Sequence, residues 1–365
     1  NTTFAQAPRP TPYRIVKNVN DPTPLGDLLR DHARQPFVPT DEHELDARAA
    51  EILQIQATGL ARRMQAAHSQ AMVIGLSGGL DSTLAFLVAF DALQKLDLAP
   101  HQLHAITMPG PGTSSGTHSN AHALATAVQA HLEEIPIDAA VEQHLADLKH
   151  GGDFDVVFEN AQARERTQIL FNYANKVGGI VVGTGDLSEL ALGWCTFNAD
   201  HMANYNVNAS VPKTLIAYLV RWYAQHRAGA HPQLGDVLQR VLDTPISPEL
   251  IPPQNDEISQ LTESLVGPYE LHDYFLYHFL RHGSRPNKIY QLACRSFESV
   301  YSASEIAHWL GQFFQRFISQ QFKRTTLPPG PKVGSVSLSP RGDWRMPDEA
   351  TAQALLDEIA QLQTN

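Results

Sequence analysis

The chain is poor in cysteine and in cationic side chains, and it carries no long apolar run. Its two cysteines, Cys195 and Cys294, lie far apart and form no CxxC pair. That excludes a disulfide framework and a cysteine-built zinc site, and it fits a reducing, cytoplasmic compartment. Lys and Arg number 27 against 38 Asp and Glu, a formal charge of −11. Phosphate contacts dominate affinity for DNA and RNA, so this balance argues against a nucleic-acid partner, while a local pocket for a small anion stays open. No apolar stretch approaches the roughly 18 residues that span a bilayer, and the opening NTTFAQAPRP has no basic-then-apolar pattern, so neither a membrane span nor a signal peptide is expected. What is present is core material: 43% of the 365 residues are apolar and 18% charged. At about 150 residues per domain, that length suggests one large domain with extensions, or two.

Residues 1–40 are rich in Pro and polar residues (PRPTPY, DPTP, QPFVP) and read as a linker or extended arm. The spacing of Leu45, Ala49, Ile52, Leu53, Leu60 and Met64 predicts an amphipathic helix from Glu42 to about His68, capped by Asp41. Strands are predicted at Ala71–Leu76, Leu103–Met108, Glu134–Ile137 and Gly179–Gly183. Helices are predicted over Leu80–Leu96, from Ser119 to about His131, and over 158–177, with a Gly/Pro/Ser loop at 109–118. Strands alternating with helices predict an α/β fold, a doubly wound parallel sheet covered on both faces. From Pro212 the pattern is mainly helical, interrupted by the Pro-rich 243–253 and a loop at 324–347.

The sharpest local feature is Ser77-Gly78-Gly79-Leu80-Asp81-Ser82-Thr83, between the first strand and a helix. Two glycines let the backbone turn tightly and approach a ligand, and the following helix points unpaired N–H groups and its positive dipole end at the same space. Three hydroxyls add donors. A carboxylate here would repel phosphate unless it holds Mg²⁺, which bridges phosphate oxygens. The motif is neither the GxxxxGK[ST] nucleotide loop, since no Lys opens the helix, nor the GxGxxG dinucleotide turn. A Gly-Gly turn capped by Asp and Ser is the bland alternative.

SGGLDS resembles the signature of the ATP pyrophosphatase superfamily, which cleaves ATP between the α and β phosphates. The block Gly183–Lys213 (GTGDLSELALGWCTFNADHMANYNVNASVPK) resembles that of NAD⁺ synthetases, particularly the glutamine-dependent type. So do FENAQARERTQ (158–168), KRTTLPPGPKVG (323–334) and LSPRGDWRMP (338–347). The likeness spans roughly residues 45–350. It implies an adenine nucleotide alpha hydrolase-like fold at 41–255 and a helical C-terminal part at 256–365 that completes the substrate site.

The reaction it implies is amidation of deamido-NAD⁺ to NAD⁺. ATP adenylates the nicotinate carboxylate, ammonia attacks, and AMP and pyrophosphate leave. Carried over residue by residue, ATP contacts fall on Gly75, Leu76, Ser77, Gly78, Gly79, Leu80, Asp81, Ser82, Thr184, Lys213 and Ser247. Deamido-NAD⁺ contacts fall on Asn160, Glu189, Trp194, Cys195, Thr196, Phe197 and Lys323. Asp81 and Glu189 match the Mg²⁺ positions, and Asp81 and Lys213 the catalytic ones. Trp194 and Phe197 have the right chemistry to face a pyridinium ring, although core packing would use them equally well. Arg164 and Arg166 read as ion-pair residues on a long helix. His118 and His122 share a helix face without an apparent third metal ligand, which reads as two exposed polar residues. Thr107-Met108-Pro109, ending a strand, suits backbone contacts to adenine.

Glutamine-dependent relatives carry an N-terminal amidase with a Glu-Lys-Cys triad, for which this chain has no counterpart. The expectation is a synthetase domain that uses free ammonia, joined to a glutaminase domain in the full-length protein, and a homo-oligomer with a dimeric core. Two other readings compete: another ATP pyrophosphatase such as a GMP synthetase, or a non-enzymatic nucleotide sensor.

Overall fold

The computed structural model describes residues 32–113, 115–244 and 262–362. Thirty-one residues of the expected N-terminal arm, most of the Pro-rich segment and Ser247 lie outside the described residues. The chain runs α1 (Glu42–Ala66), β1 (Ala71–Gly75), α2 (Leu80–Lys95), β2 (Leu103–Thr107), α3 (Ser115–Ala127), β3 (His131–Glu134), α4 (Asp138–Asp147), α5 (Val156–Val177) and β4 (Gly179–Gly183). It continues through α6 (Leu187–Leu192), β5 (Tyr205–Asn206), α7 (Lys213–His226), α8 (Pro232–Asp243), α9 (Thr262–Val266), α10 (Tyr269–His282), α11 (Pro286–Ser296), α12 (Ala303–Ser319), α13 (Gln321–Thr325) and α14 (Gln353–Leu362).

All strands are parallel, in the order β3-β2-β1-β4-β5. Both faces of the sheet are covered, so its central strands are apolar nearly throughout. In β1, Met72 and Ile74 enter the large core shared with α1, α2, α7 and α8, whereas Val73 turns to the opposite face against Tyr173 and Ala174 of α5. Twelve consecutive residues of α2, Ser82 to Leu93, are buried. A helix buried on every side suits its position between the sheet and the outer helices. Each fully covered Leu or Phe there contributes about 1.5–3 kcal/mol relative to exposure.

Two predicted boundaries move. Helix α3 starts at Ser115, not Ser119, and ends at Ala127, so residues 115–118 are helical and do not belong to a loop. The edge strand is His131–Glu134, not Glu134–Ile137. Its sequence HLEE is polar because an edge strand is half-exposed, and the apolar signal just beyond it belongs to Ile137, which is buried beneath α5.

The strand order reverses between β1 and β4, because the chain after β3 returns across the sheet to pair with β1. Such a switch point opens a crevice at the carboxyl ends of the two strands, where ligands of open α/β sheets bind. The C-terminal helices are fastened beside it. Asp273 of α10 accepts hydrogen bonds from the Ser188 hydroxyl, and from the Thr214 amide at 3.0 Å and hydroxyl at 2.7 Å. Buried Arg324 donates to the carbonyls of Leu190, Ala191 and Phe317, fixing the end of α6. No helix among the described residues is long and apolar enough to cross a membrane.

Candidate active site

A cavity of about 780 Å³ opens at the switch point. Its floor is the turn after β1. Gly78 adopts φ +85°, and a Cβ there would lie 2.0 Å from the Thr117 carbonyl oxygen, so only glycine fits between the turn and α3. Gly79 caps α2 in extended backbone. The hydroxyls of Ser82 and Thr83 donate back to the Gly79 carbonyl at 3.1 and 2.8 Å, and the oxygens of Ser77 and Ser82 stand 3.0 Å apart. The loop is thus held in a shape that turns the first amides of α2 toward the cavity. Buried Asn208 joins it to the turn after β4, donating to the carbonyls of Asp81 at 3.0 Å and Thr184 at 3.1 Å.

Beside the loop lies an ion cluster. Lys213 Nζ stands 2.6 Å from Asp186, 2.7 Å from Asp81 and 2.9 Å from Glu189. It is 3% exposed and forms part of the ground under the cavity, with the Tyr269 ring 5.2 Å away. Burial alone would lower its pKa, but the three carboxylates outweigh it and hold the ammonium charged. The same burial pushes Asp186 well above the ordinary carboxylate range and Glu189 up to about 7. Three carboxylates against one ammonium leave an excess of two negative charges when all are ionised. Proton uptake, which the raised pKa values of Asp186 and Glu189 favour, relieves that excess, and a bound cation would relieve it as well. Asp81 Oδ1 is buried without a hydrogen-bond partner, and oxygens of Asp81, Asp186 and Glu189 lie within 4.8 Å of one another. An all-oxygen set with an orphaned acceptor fits a hard divalent ion such as Mg²⁺.

The opposite wall is built from α5, α12, α13 and the segment after α6. Gly193 ends α6 with φ +60°, and a Cβ there would lie 2.3 Å from Cβ of Gln320, between α12 and α13. Lys323 Nζ donates to the carbonyls of Gly193 and Cys195, both at 2.7 Å, and burial lowers its pKa. The Arg316 guanidinium donates to the Leu192 carbonyl at 3.0 Å and lies 5.2 Å from the Trp194 ring. Thr196 donates to Asn160 Oδ1 at 2.8 Å, fastening α5 to this strip. Phe197 stacks on His201 and touches Phe322. Burial pushes the Cys195 thiol far up, so it is an uncharged wall group and no nucleophile.

Of the residues expected from sequence, Gly75, Leu76, Ser77, Gly79, Leu80, Asp81, Ser82, Thr184, Glu189, Asn160, Trp194, Cys195, Thr196, Phe197 and Lys323 all line this one cavity. Gly78 backs onto α3, and Lys213 lies behind the carboxylates. Thr107, Met108 and Pro109 border it as well. Arg164 and Arg166, read from sequence as ion-pair residues on a long helix and not counted among the site residues, lie at the cavity. Arg166 Nε donates to the Met108 carbonyl at 3.1 Å. Asp186 was missed, although Asp186-Leu-Ser-Glu189 has helix-cap spacing, and the carboxylate does accept from the Glu189 amide at 2.9 Å. The KRTTLPPGPKVG segment is mostly a brace. Pro329 accepts from the Asn206 amide, and Pro331 and Val333 bond the Ser210 hydroxyl.

Comparison with known proteins places this geometry in context. The family described as NAD synthase matches residues 52–309. The glutamine-dependent NAD(+) synthetase of Mycobacterium tuberculosis (strain H37Rv) is 45% identical over 374 residues, covering 95% of this chain and 54% of that protein. The protein of the same name from Rhodobacter capsulatus is 32% identical over 280 residues, covering 75% of this chain and 47% of its own. The chain thus spans about half the length of the curated relatives it matches. Among solved structures, a glutamine-dependent NAD(+) synthetase from Cytophaga hutchinsonii superposes with a TM-score of 0.72 at 19% identity, over 86% of this chain and 56% of that one. An NMN synthetase from Francisella tularensis gives 0.55 at 24% identity, over 74% and 95%. At these identities the two structures bear on the fold alone.

Proposed function

The chain belongs to the NAD synthase family, and from that premise we propose that its cavity activates the nicotinate carboxylate of deamido-NAD⁺ with ATP and converts it to the amide of NAD⁺. The observation that carries this reading is the meeting of two unlike walls in one cavity. One holds a glycine turn, a helix N-terminus and the Asp81–Glu189 carboxylates, and the other an aromatic and cationic strip from Trp194 to Lys323.

In this reading the amides of Gly79–Ser82 and the hydroxyls of Ser77 and Ser82 receive the β and γ phosphates of ATP. Thr184 borders the same space from β4, with the adenine toward Thr107–Pro109. Magnesium held by Asp81 and Glu189 would neutralise phosphate charge as pyrophosphate departs. Lys213 keeps those carboxylates apart from one another and correctly turned, so its contribution to adenylation is made from beneath the floor. Trp194 and Phe197 offer faces to the pyridinium ring, and Asn160 offers its amide to sugar hydroxyls or carboxylate. Lys323 and Arg316 supply positive charge beside the dinucleotide's phosphates. The nicotinate oxygen attacks the α-phosphorus and pyrophosphate leaves. Ammonia then adds to the acyl carbon, and AMP departs with the C–O bond electrons while the added nitrogen gives up a proton.

Ammonia is the nitrogen donor proposed for this cavity. The names of the relatives give glutamine as the source in those proteins, and a glutaminase partner domain is the matching proposal here. The helices after residue 262 complete the dinucleotide side, since Arg316, Gln320, Phe322 and Lys323 border the cavity.

The test is product analysis with ATP, Mg²⁺ and ammonium. NAD⁺, AMP and pyrophosphate should appear in equal amounts with deamido-NAD⁺. Pyrophosphate release with XMP but not with deamido-NAD⁺ would make it a GMP synthetase, and nucleotide binding without pyrophosphate would make it a sensor.

A further inference from the structure

A second cluster with metal-ligand chemistry lies on the outer rim of the cavity. His118 and His122 stand one turn apart on α3, and their ring centroids are 4.5 Å apart. Glu134 is the last residue of β3. Its pairing opposite Thr107 brings it to the carboxyl edge of the sheet, where α3 packs. One carboxylate oxygen, Glu134 Oε2, stands 2.7 Å from His118 Nε2 and 2.9 Å from His122 Nε2. Sequence spacing offered no third ligand to the two histidines, and the strand register supplies it.

We propose that His118, His122 and Glu134 bind a divalent transition metal of the zinc class, at a site separate from the Asp81–Asp186–Glu189 cluster. The donor set decides the class of ion. Two imidazole nitrogens with one carboxylate oxygen suit zinc, cobalt, nickel or copper, whereas magnesium and calcium take oxygen. Two histidines at i and i+4 with one carboxylate from another element leave a tetrahedral ion at least one position for water or an anion.

The geometry needs little change. Ligand bonds of 2.0–2.2 Å at a tetrahedral angle put donor atoms roughly 3.3 Å apart, so each imidazole withdraws by about half an ångström. The three side chains are 37–41% exposed, which gives them that freedom and gives the ion a path of entry. His118 also borders the nucleotide cavity, while Thr117 and Ala121 of the same helix meet Gly78. A metal here would sit on the helix that backs the glycine turn. The proposal does not depend on the identity of the nucleotide's partner.

The whole chain, stripped with a chelator and kept in excess Mg²⁺, is titrated with Co²⁺ and followed by its visible absorption. Zn²⁺ is then measured by competition with a chromophoric chelator. One equivalent should bind per chain, undisturbed by Mg²⁺. Since loss of even an outer partner weakens metal sites about 10- to 100-fold, His122→Asn and Glu134→Gln should each weaken binding at least about tenfold. His101→Asn, at an exposed histidine elsewhere, should leave it unchanged. Circular dichroism establishes that each variant is folded, and either one alone is sufficient. Unaltered affinity in a folded variant, or no saturable binding of zinc or cobalt, leaves the three residues as a hydrogen-bonded cluster only and overturns the proposal.

Discussion

Lys213 and Asp81 share an ion pair, yet their removal should act in opposite directions. Lys213 is buried and is the ammonium that balances fully buried Asp186. Replacing it with methionine keeps the bulk and strands that carboxylate, which typically costs about 3–5 kcal/mol. Urea denaturation of Lys213→Met should record a loss of that order, and an unchanged midpoint would mean the cluster is not charged as described. Asp81 is the reverse case. It contributes one of the surplus negative charges and leaves Oδ1 without a partner. Asp81→Asn should therefore unfold at no lower denaturant concentration in Mg²⁺-free buffer. In the presence of Mg²⁺ it should release pyrophosphate at least about 10²-fold more slowly, the scale on which a single electrostatic contact to a transition state is felt. Normal turnover in Asp81→Asn would remove it from the metal site. Asp186 shows why such a residue escapes a reading of the sequence. Its motif neighbours advertise a helix cap, but its second carboxylate oxygen is aimed at a lysine 27 positions onward, a pairing that the strand order alone creates.

Elements differ in how openly they announce themselves. Strands β1, β2 and β4 are short apolar runs, because a central parallel strand is buried on both faces. Helix α1 shows its face through Ile52, Leu53, Leu60 and Met64. Edge strand β3 and two-residue β5 carry no such pattern, since hydrogen bonding to a neighbour, and not apolar surface, defines them. Helix α6 is only six residues long and is ended by buried Arg324 from far along the chain. The candidate site follows the same division. Its glycine turn and aromatic strip are local and legible, whereas Arg164, Arg166 and Arg316 enter by packing of α5 and α12.

Helix α10 carries a consequence for acid stability. His272 is fully buried, bonded through Nε2 to the Val266 carbonyl at 2.6 Å and surrounded by Trp309 and Phe313. Burial pushes its pKa down from 6.5 to about 4, so the unfolded chain takes up a proton that the native state refuses. The resulting stability is complete above pH 6.5 and is lost as pH falls toward 4. Since one unit is worth 1.36 kcal/mol, the loss is roughly 3 kcal/mol from this residue. His278, on the same helix, is also pushed down to about 4 and acts in the same sense. In His272→Gln, whose amide can still donate to Val266, the fall in melting temperature between pH 6.5 and 4 should be visibly shallower. An identical pH profile would show that the imidazole already titrates normally.

At the scale of the molecule, one stretch of surface exposes several large apolar side chains together among the described residues. Leu148, Phe154, Val156 and Val157 are 55, 57, 64 and 38% exposed, all within ten residues leading into α5. Isolated exposed apolar side chains are ordinary, whereas four together on one segment are the kind of surface on which a contact between copies is worth testing. The expected occupant is a second copy of this chain, because α5 also supplies Val156, Asn160 and Arg164 to the cavity wall. A symmetric contact along this helix would then bring each copy against the dinucleotide side of the other's site. Light scattering after size exclusion should give twice the 40.2 kDa of the chain. Phe154→Ser combined with Val157→Asp, neither of which changes a polar group of the site, should shift the mass to that of a monomer. In the monomer the KM for deamido-NAD⁺ should rise more than that for ATP, because the start of α5, nearest the contact, carries Asn160, which is bonded to Thr196 on the dinucleotide side. A monomeric mass for the unaltered chain would refute the assembly, and a dissociated variant with both KM values unchanged would confine the contact to stability alone.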